Sequence, residues 1–181
     1  MPELSLGFFA LEEIKRSEGY LGALLVTDEL TKPEEFRVTF PVKPSLMQKR
    51  LYGEALIPHI GIKLCAEPLF EALANKPEIL LINDQRFLSL SEQIPAQVVY
   101  LERAGESVHI DESDRQTGVL QSSSGIFDPI ELTFPPSHVQ TEDDKIMKIM
   151  KRISSAVDPL EPFARIGTAV EALIDEDSRF Q

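Results

Sequence analysis

Residues Gly19–Glu54 read "GYLGALLVTDELTKPEEFRVTFPVKPSLMQKRLYGE", and the hydrophobic period changes twice within them. The run "YLGALLV" from Tyr20 is apolar on both alternate faces, which suits a strand covered on both sides. Gly22 inside it marks a close packing neighbour. In "EEFRVTF", Phe36, Val38 and Phe40 point one way while Glu35, Arg37 and Thr39 point the other, so one face of that strand meets water. The connecting "DELTKPE" is longer than a tight hairpin, and Pro33 has no place in a central ladder. After Pro41 and Pro44 the period becomes helical. Ser45 and Gln48 have the spacing of a capping box, in which each side chain satisfies an orphaned backbone N–H, so a helix is predicted from Leu46. Met47, Leu51 and Ala55 should line its apolar face, with an end or kink at Gly53 and Pro58.

The same reading extends outward to an α+β fold: a mixed, mainly antiparallel sheet with helices on one face and a C-terminal pair of amphipathic helices. Leu4–Leu11 is a first strand or a turn of helix. A further helix is predicted over Ala66–Ala74, with Cys65, Leu69, Phe70 and Leu73 at helical spacing, and "PEILLIND" is a short buried strand. "AQVVYLER" and "VHIDE" pair as a hairpin around Ala104-Gly105. Residues 111–128, rich in Ser, Asp, Gly and Gln, are expected to form a mobile loop with at most a brief strand at Val119-Leu120. "IELTF" alternates again, and Pro135-Pro136 closes a sheet domain of residues 1–136.

Residues 141–177 carry the clearest periodicity. Thr141 precedes Glu142, Asp143 and Asp144, acids suited to the positive end of a helix dipole. Ile146, Ile149, Met150, Ile153 and Val157 follow at spacings of three and four. Asp158-Pro159 stops that helix and starts another, with Asp158 as cap and Glu161 completing the box. The second helix presents Phe163, Ile166 and Val170. This pair is expected to pack on the same domain, and those three residues are the leading anchors for a partner protein or a second copy of the chain.

The 181 residues hold 18 Lys and Arg against 30 Asp and Glu, for a formal charge of −12. Nucleic-acid binders commonly present a basic face that neutralises phosphates, so this balance argues against nucleic acid as a partner. A nucleic-acid role would have to rest on Lys43, Lys49, Arg50 and Arg86. One cysteine, Cys65, excludes an internal disulfide and favours the reducing cytoplasm. Its apolar neighbours point to core packing. The N-terminal apolar run is too short for an anchor and lacks a basic leader.

No calcium loop, zinc pattern, nucleophile elbow, phosphate loop or dinucleotide fingerprint is present, so no cofactor, metal or catalytic set is expected. The acids Asp28, Glu29, Glu34 and Glu35 read as solvated loop charges. His109 with Asp111, Glu112 and Asp114 could hold a metal or an acid/base pair, but an exposed strand end is the better reading of them. A site assembled from distant loops would draw on Asp28, Arg37, Asp84 and His109.

Three strands, a helix and a strand ending in Asp84 resemble the ribonuclease H-like fold in element order. That resemblance implies converging carboxylates on two metal ions. Glu54 and Asp84 fall at suitable places, but the first strand, "LSLGFFAL", has no acid at its centre. The phrases "GALLVTD", "PEEFRVTFPVKP" and "DPLEPFARI" further resemble a family of bacterial proteins without an assigned activity, which implies a bacterial cytosolic protein and carries no functional residue across. The expectation on these grounds is a non-enzymatic interaction or assembly protein. The alternatives are an enzyme or small-molecule binder, including a divergent ribonuclease H-like nuclease, and a nucleic-acid-associated protein.

Overall fold

The computed structural model describes residues 4–105, 117–122, 124–136 and 140–181. Its strands are β1 (Leu6–Ile14), β2 (Gly19–Thr27), β3 (Pro33–Val38), β4 (Ile79–Ile82), β5 (Gln97–Arg103), β6 (Thr117–Leu120) and β7 (Ile130–Thr133). They form one mixed sheet in the order β3-β2-β1-β4-β5-β7-β6. The fold is α+β. β1 and β2 make a long antiparallel hairpin, from Leu6 opposite Thr27 to Ile14 opposite Gly19. β4 then runs parallel to β1, and β5 parallel to β4; the remaining pairings are antiparallel. The three strands and helix behind the ribonuclease H-like resemblance are thus laid out with β4 beside β1.

A parallel return from β3 to β4 needs a crossover, and the chain makes it as one interrupted helical path. This comprises α1 (Leu46–Tyr52), a 3₁₀ turn at Gly53–Ala55, α2 (Leu56–Pro58), a π-helical stretch His59–Ala66 and α3 (Glu67–Ala72). The capping box is formed: Ser45 N–H donates to Gln48 Oε1 at 2.8 Å and Gln48 N–H to Ser45 Oγ at 3.2 Å. Gly53 takes φ of +52°, a turn that breaks the path after α1. Pro58 has no N–H to return to the turn before it, and the wide π turn follows directly. Met47 and Leu51 were expected to face the core, but they are 68% and 76% exposed and α1 buries no residue. The bend at Gly53 swings α1 off the sheet, so burial begins only at Leu56.

Alternation along β1 and β2 divides the core into two layers. Phe9, Leu24, Val26, Leu80 and Ile82 face the crossover, meeting Ile60, Cys65, Leu69, Phe70 and Phe87. At Gly22 an added Cβ would lie 2.4 Å from Cys65 Cβ, so only glycine lets the π-helical stretch press this close. Cys65 is fully buried, and that burial pushes its thiol up from the usual cysteine range.

On the other face, Leu6, Phe8, Ala10, Leu21, Ala23, Leu25, Ile79 and Leu81 pack against α4 (Gln140–Ser154) and α5 (Glu161–Glu176). α4 begins before Thr141, which lies within its first turn. α5 begins at Glu161 rather than Pro159. Asp158 instead accepts the Leu160 N–H at 3.0 Å and pairs with Arg103, which ties the interhelical turn to β5. Both helices also reach the β2–β3 loop, through Arg152 to Glu29 at 2.8 Å and Arg165 to the Thr31 carbonyl at 2.8 Å. Among the described residues no helix is long and apolar enough to cross a membrane.

Candidate functional site

The carboxyl ends of β1, β4 and β5 open on the same edge of the sheet, where parallel strands leave a crevice for ligands. The last β1–β4 pair is Phe9 with Ile82, and β1 runs on through Leu11 and Glu13 with β2 alone beside it. β4 ends in Asn83 and Asp84, and Asp84 caps the 3₁₀ segment Gln85–Glu92. Arg86 folds back on it: Nε lies 3.0 Å from Oδ1 and 3.0 Å from Oδ2, Nη2 lies 2.6 Å from Oδ2, and the Arg86 N–H donates to Oδ1 at 3.0 Å. Asp84, and Tyr20 at longer range, hold the Arg86 guanidinium above its ordinary range.

Tyr20 lies opposite Glu13 on the hairpin and is clamped to Val42 by paired backbone bonds of 2.8 and 2.7 Å. The same tyrosine acts on Lys49. There Glu18, bonded to Nζ at 2.7 Å, chiefly raises the ammonium above the usual lysine range, with Tyr20 and Glu13 adding to it. Two cations thus belong to this part of the chain, Lys49 from the helical crossover and Arg86 from the β4 turn.

Beyond Tyr20 the edge continues into a cleft of about 150 Å³ lined by Val42, Lys43, Gln48, Tyr52, His59 and Leu64, among others. The Tyr52 and His59 rings lie 4.9 Å apart at 37°. Lys43 Nζ donates to the Gln181 carbonyl at 2.9 Å, and Phe40 stacks on Phe180 at 5.3 Å, so the Pro41–Pro44 wall is braced from behind. Leu46, Met47, Leu51 and Tyr52 project beside the cleft. From Phe36 to Gly53 the chain carries Arg37, Lys43, Lys49 and Arg50 and no acid. That local run was legible in the sequence and was hidden by averaging charge over whole halves.

The residues expected to converge are scattered instead. Asp28 follows the end of β2 that pairs with Leu6, at the edge opposite Asp84. It shapes its own loop, accepting the N–H groups of Leu30 and Lys32 at 2.9 and 2.8 Å. Arg37 sits on the outer strand, paired with Glu35 at 2.5 Å, and Glu35 also accepts the Ala74 N–H. His109, Asp111, Glu112 and Asp114 lie outside the described residues.

Ribonuclease H-like metal chemistry needs converging carboxylates, and the described residues do not fit it. The middle of β1 offers Phe9, Ala10 and Leu11, Glu54 is exposed in the 3₁₀ turn, and Asp84 is engaged by Arg86. No group of three His, Cys, Asp or Glu among the described residues could hold a metal ion.

By sequence, no protein-family model matches the chain and no curated protein matches it significantly. By structure, endonuclease V from Ciona intestinalis, in complex with a 24mer DNA containing an inosine followed by a ribo-adenosine, superposes with a TM-score of 0.58 at 12% identity, covering 95% of this chain and 88% of that one. Endonuclease V from Bacillus subtilis gives 0.57 at 10% identity, covering 97% and 83%. The fold is that of endonuclease V. Two expectations from the sequence are corrected by this finding. A non-enzymatic interaction or assembly protein does not stand, because the chains that share the fold along nearly all of its length are nucleases. Nucleic acid was discounted as a partner, yet an endonuclease V of this fold is seen with DNA bound. Packing agrees with the first correction. Phe163, Ile166 and Val170 are 8%, 1% and 2% exposed, so the chain's own sheet covers the stripe that was assigned to a partner.

Proposed function

We propose that this chain is an enzyme acting on nucleic acid, with the strand laid across the carboxyl edge of β1 and β4 and along the cleft beside α1. The observation that carries the reading is the endonuclease V fold over nearly the whole chain, combined with an acid-free cationic stretch at its ligand-binding edge. Lys43, Lys49, Arg50 and Arg86 supply phosphate contacts. Tyr52, His59 and the projecting Leu46, Met47 and Leu51 supply flat or apolar surface for unpaired bases, the combination that holds single strands. A bacterial cytosol, reducing toward the single Cys65, is part of the same proposal.

The test is anisotropy of a labelled single-stranded oligonucleotide, with and without inosine, over a salt series, and denaturing gels for cleavage products. Four phosphate contacts on a single strand give a log–log salt slope of about −3. Lys43→Glu with Lys49→Glu should weaken binding by about tenfold or more. Failure to bind at low salt, together with no products, removes the reading.

A further inference from the structure

We infer that Arg86 is the resident cation of this edge: its guanidinium takes the place beside Asp84 that a divalent metal would need, and nucleic acid is held here without a divalent ion. The second clause rests on the function proposed above; the first stands on geometry alone.

An ionised carboxylate has about four lone-pair sites. At Asp84 three hydrogens meet them: the Arg86 N–H, the Nε–H shared between both oxygens, and one hydrogen of Nη2. A metal ion could take both oxygens only by breaking the fork. The carboxylate in register on the neighbouring strand, Glu102 of β5, already accepts from Tyr100 Oη at 2.9 Å, and among the described residues no group of three His, Cys, Asp or Glu could hold a metal ion. One carboxylate already paired with a guanidinium is a poor site for a hard cation that takes several oxygen ligands.

The pairing also orients Arg86 for a second task. Guanidinium has five N–H donors, and the contacts to Asp84 engage Nε and one hydrogen of Nη2, which leaves three. The side chain is 53% exposed, so those donors face solvent at the crevice. A phosphate there would meet a planar donor set already fixed in direction, with little side-chain entropy left to lose. Lys49 of α1, held by Glu18 at 2.7 Å, gives the strand a second phosphate contact.

Two measurements on the full chain test this. Mn²⁺ is titrated into wild type, Asp84→Asn and Arg86→Ala without nucleic acid, with the free ion followed by its electron paramagnetic resonance signal. Wild type and Asp84→Asn should give the same isotherm; a site lost in Asp84→Asn overturns Arg86 as the cation. Separately, binding of the labelled single strand is compared in EDTA and in millimolar Mn²⁺. The wild-type Kd should agree within about twofold, and Arg86→Ala should raise it about tenfold while Arg86→Lys recovers part of the loss. Binding that needs Mn²⁺, or Arg86→Ala binding like wild type, overturns the second clause. No binding under any condition removes the proposed function and that clause with it, and the Mn²⁺ isotherms then decide the first clause alone. Melting by circular dichroism confirms that each variant is folded.

Discussion

Gly61→Ala is the sharpest probe of how the crossover seats the candidate edge. Gly61 lies in the π-helical stretch and faces Phe87, the residue after Arg86. A Cβ added at Gly61 would sit 2.2 Å from Phe87 Cε1, 2.6 Å from Cζ and 3.0 Å from Cδ1. Carbon atoms in contact prefer about 3.5–4.0 Å, so the overlap exceeds about 1 Å at the nearest atom. The ring cannot yield freely, because it is fully buried and holds an edge-on contact with Phe9 at 5.6 Å. Overpacking of this kind costs about 1–3 kcal/mol, against a gain of up to about 1 kcal/mol from replacing a helical glycine. The net loss is up to about 3 kcal/mol. At about 2–4 °C per kcal/mol for a chain of this length, Tm should fall by up to about 12 °C.

Gly167→Ala in α5 is the matched control, since nothing lies within 4 Å of the added Cβ. It should raise Tm by about 1–4 °C. Thermal and urea melts of both variants decide the matter by sign. If Gly61→Ala stabilises as Gly167→Ala does, the close seating of the crossover on Phe87 is wrong. A double-mutant cycle with Phe87→Leu adds a second test: the shorter side chain should relieve the clash, giving a coupling of about 1 kcal/mol or more. Phe87 N–H also donates to the Asp84 carbonyl at 3.1 Å, so displacing the ring should disturb the Asp84–Arg86 turn and weaken nucleic-acid binding in step.

Phe163→Ala should cost about 3–5 kcal/mol in urea denaturation, because the ring is buried edge-on against Phe8 at 5.5 Å; a loss below about 1 kcal/mol would return this stripe to the surface. Ser45→Ala removes one side of the capping box and should cost about 1 kcal/mol locally, seen as lost amide protection over α1 with little change in the global midpoint, since α1 buries no residue. Glu12 is held above the usual carboxylate range, first by burial and then by Glu171. The folded state therefore keeps this proton more tightly than the unfolded chain, so its stabilising effect is full below about pH 4.5 and is lost as pH rises through the folded value. Glu12→Gln should accordingly raise Tm at neutral pH by about 1–3 °C and lose that advantage below pH 4.5; a pH-independent difference would rule out the linkage.

The fold was legible where burial is two-sided or strictly alternating. "GALLV" and "EILLI" become β2 and β4, and Ser45 with Gln48 fixes the start of α1. Periodicity misled where a backbone turn decides which way a stripe faces. Met47 and Leu51 have the spacing of a core face, but Gly53 at positive φ sends them into solvent. Phe163, Ile166 and Val170 show the reverse: an amphipathic pattern demands cover without naming it, and the cover is the chain's own β1 and β2. The site was harder to see, because Lys49 and Arg86 belong to separate elements, and only the fold sets β4 beside β1.

A chain of net charge −12 can still meet a phosphate strand, because ions at physiological strength screen exposed charges beyond about 8 Å. A phosphate at the cleft therefore responds to its neighbours and not to the sum. Several acids elsewhere are taken up by partners, Glu29 by Arg152, Glu161 by Arg165 and Asp177 by Arg179. The stretch from Phe36 to Gly53 has no acid of its own, and α1 buries no residue. On the same helix Arg50 is exposed, while Lys49 is paired with Glu18 at 2.7 Å. Under the proposed function, the exposed apolar groups and Arg50 on this helix favour a strand here, and the acidic remainder disfavours it elsewhere.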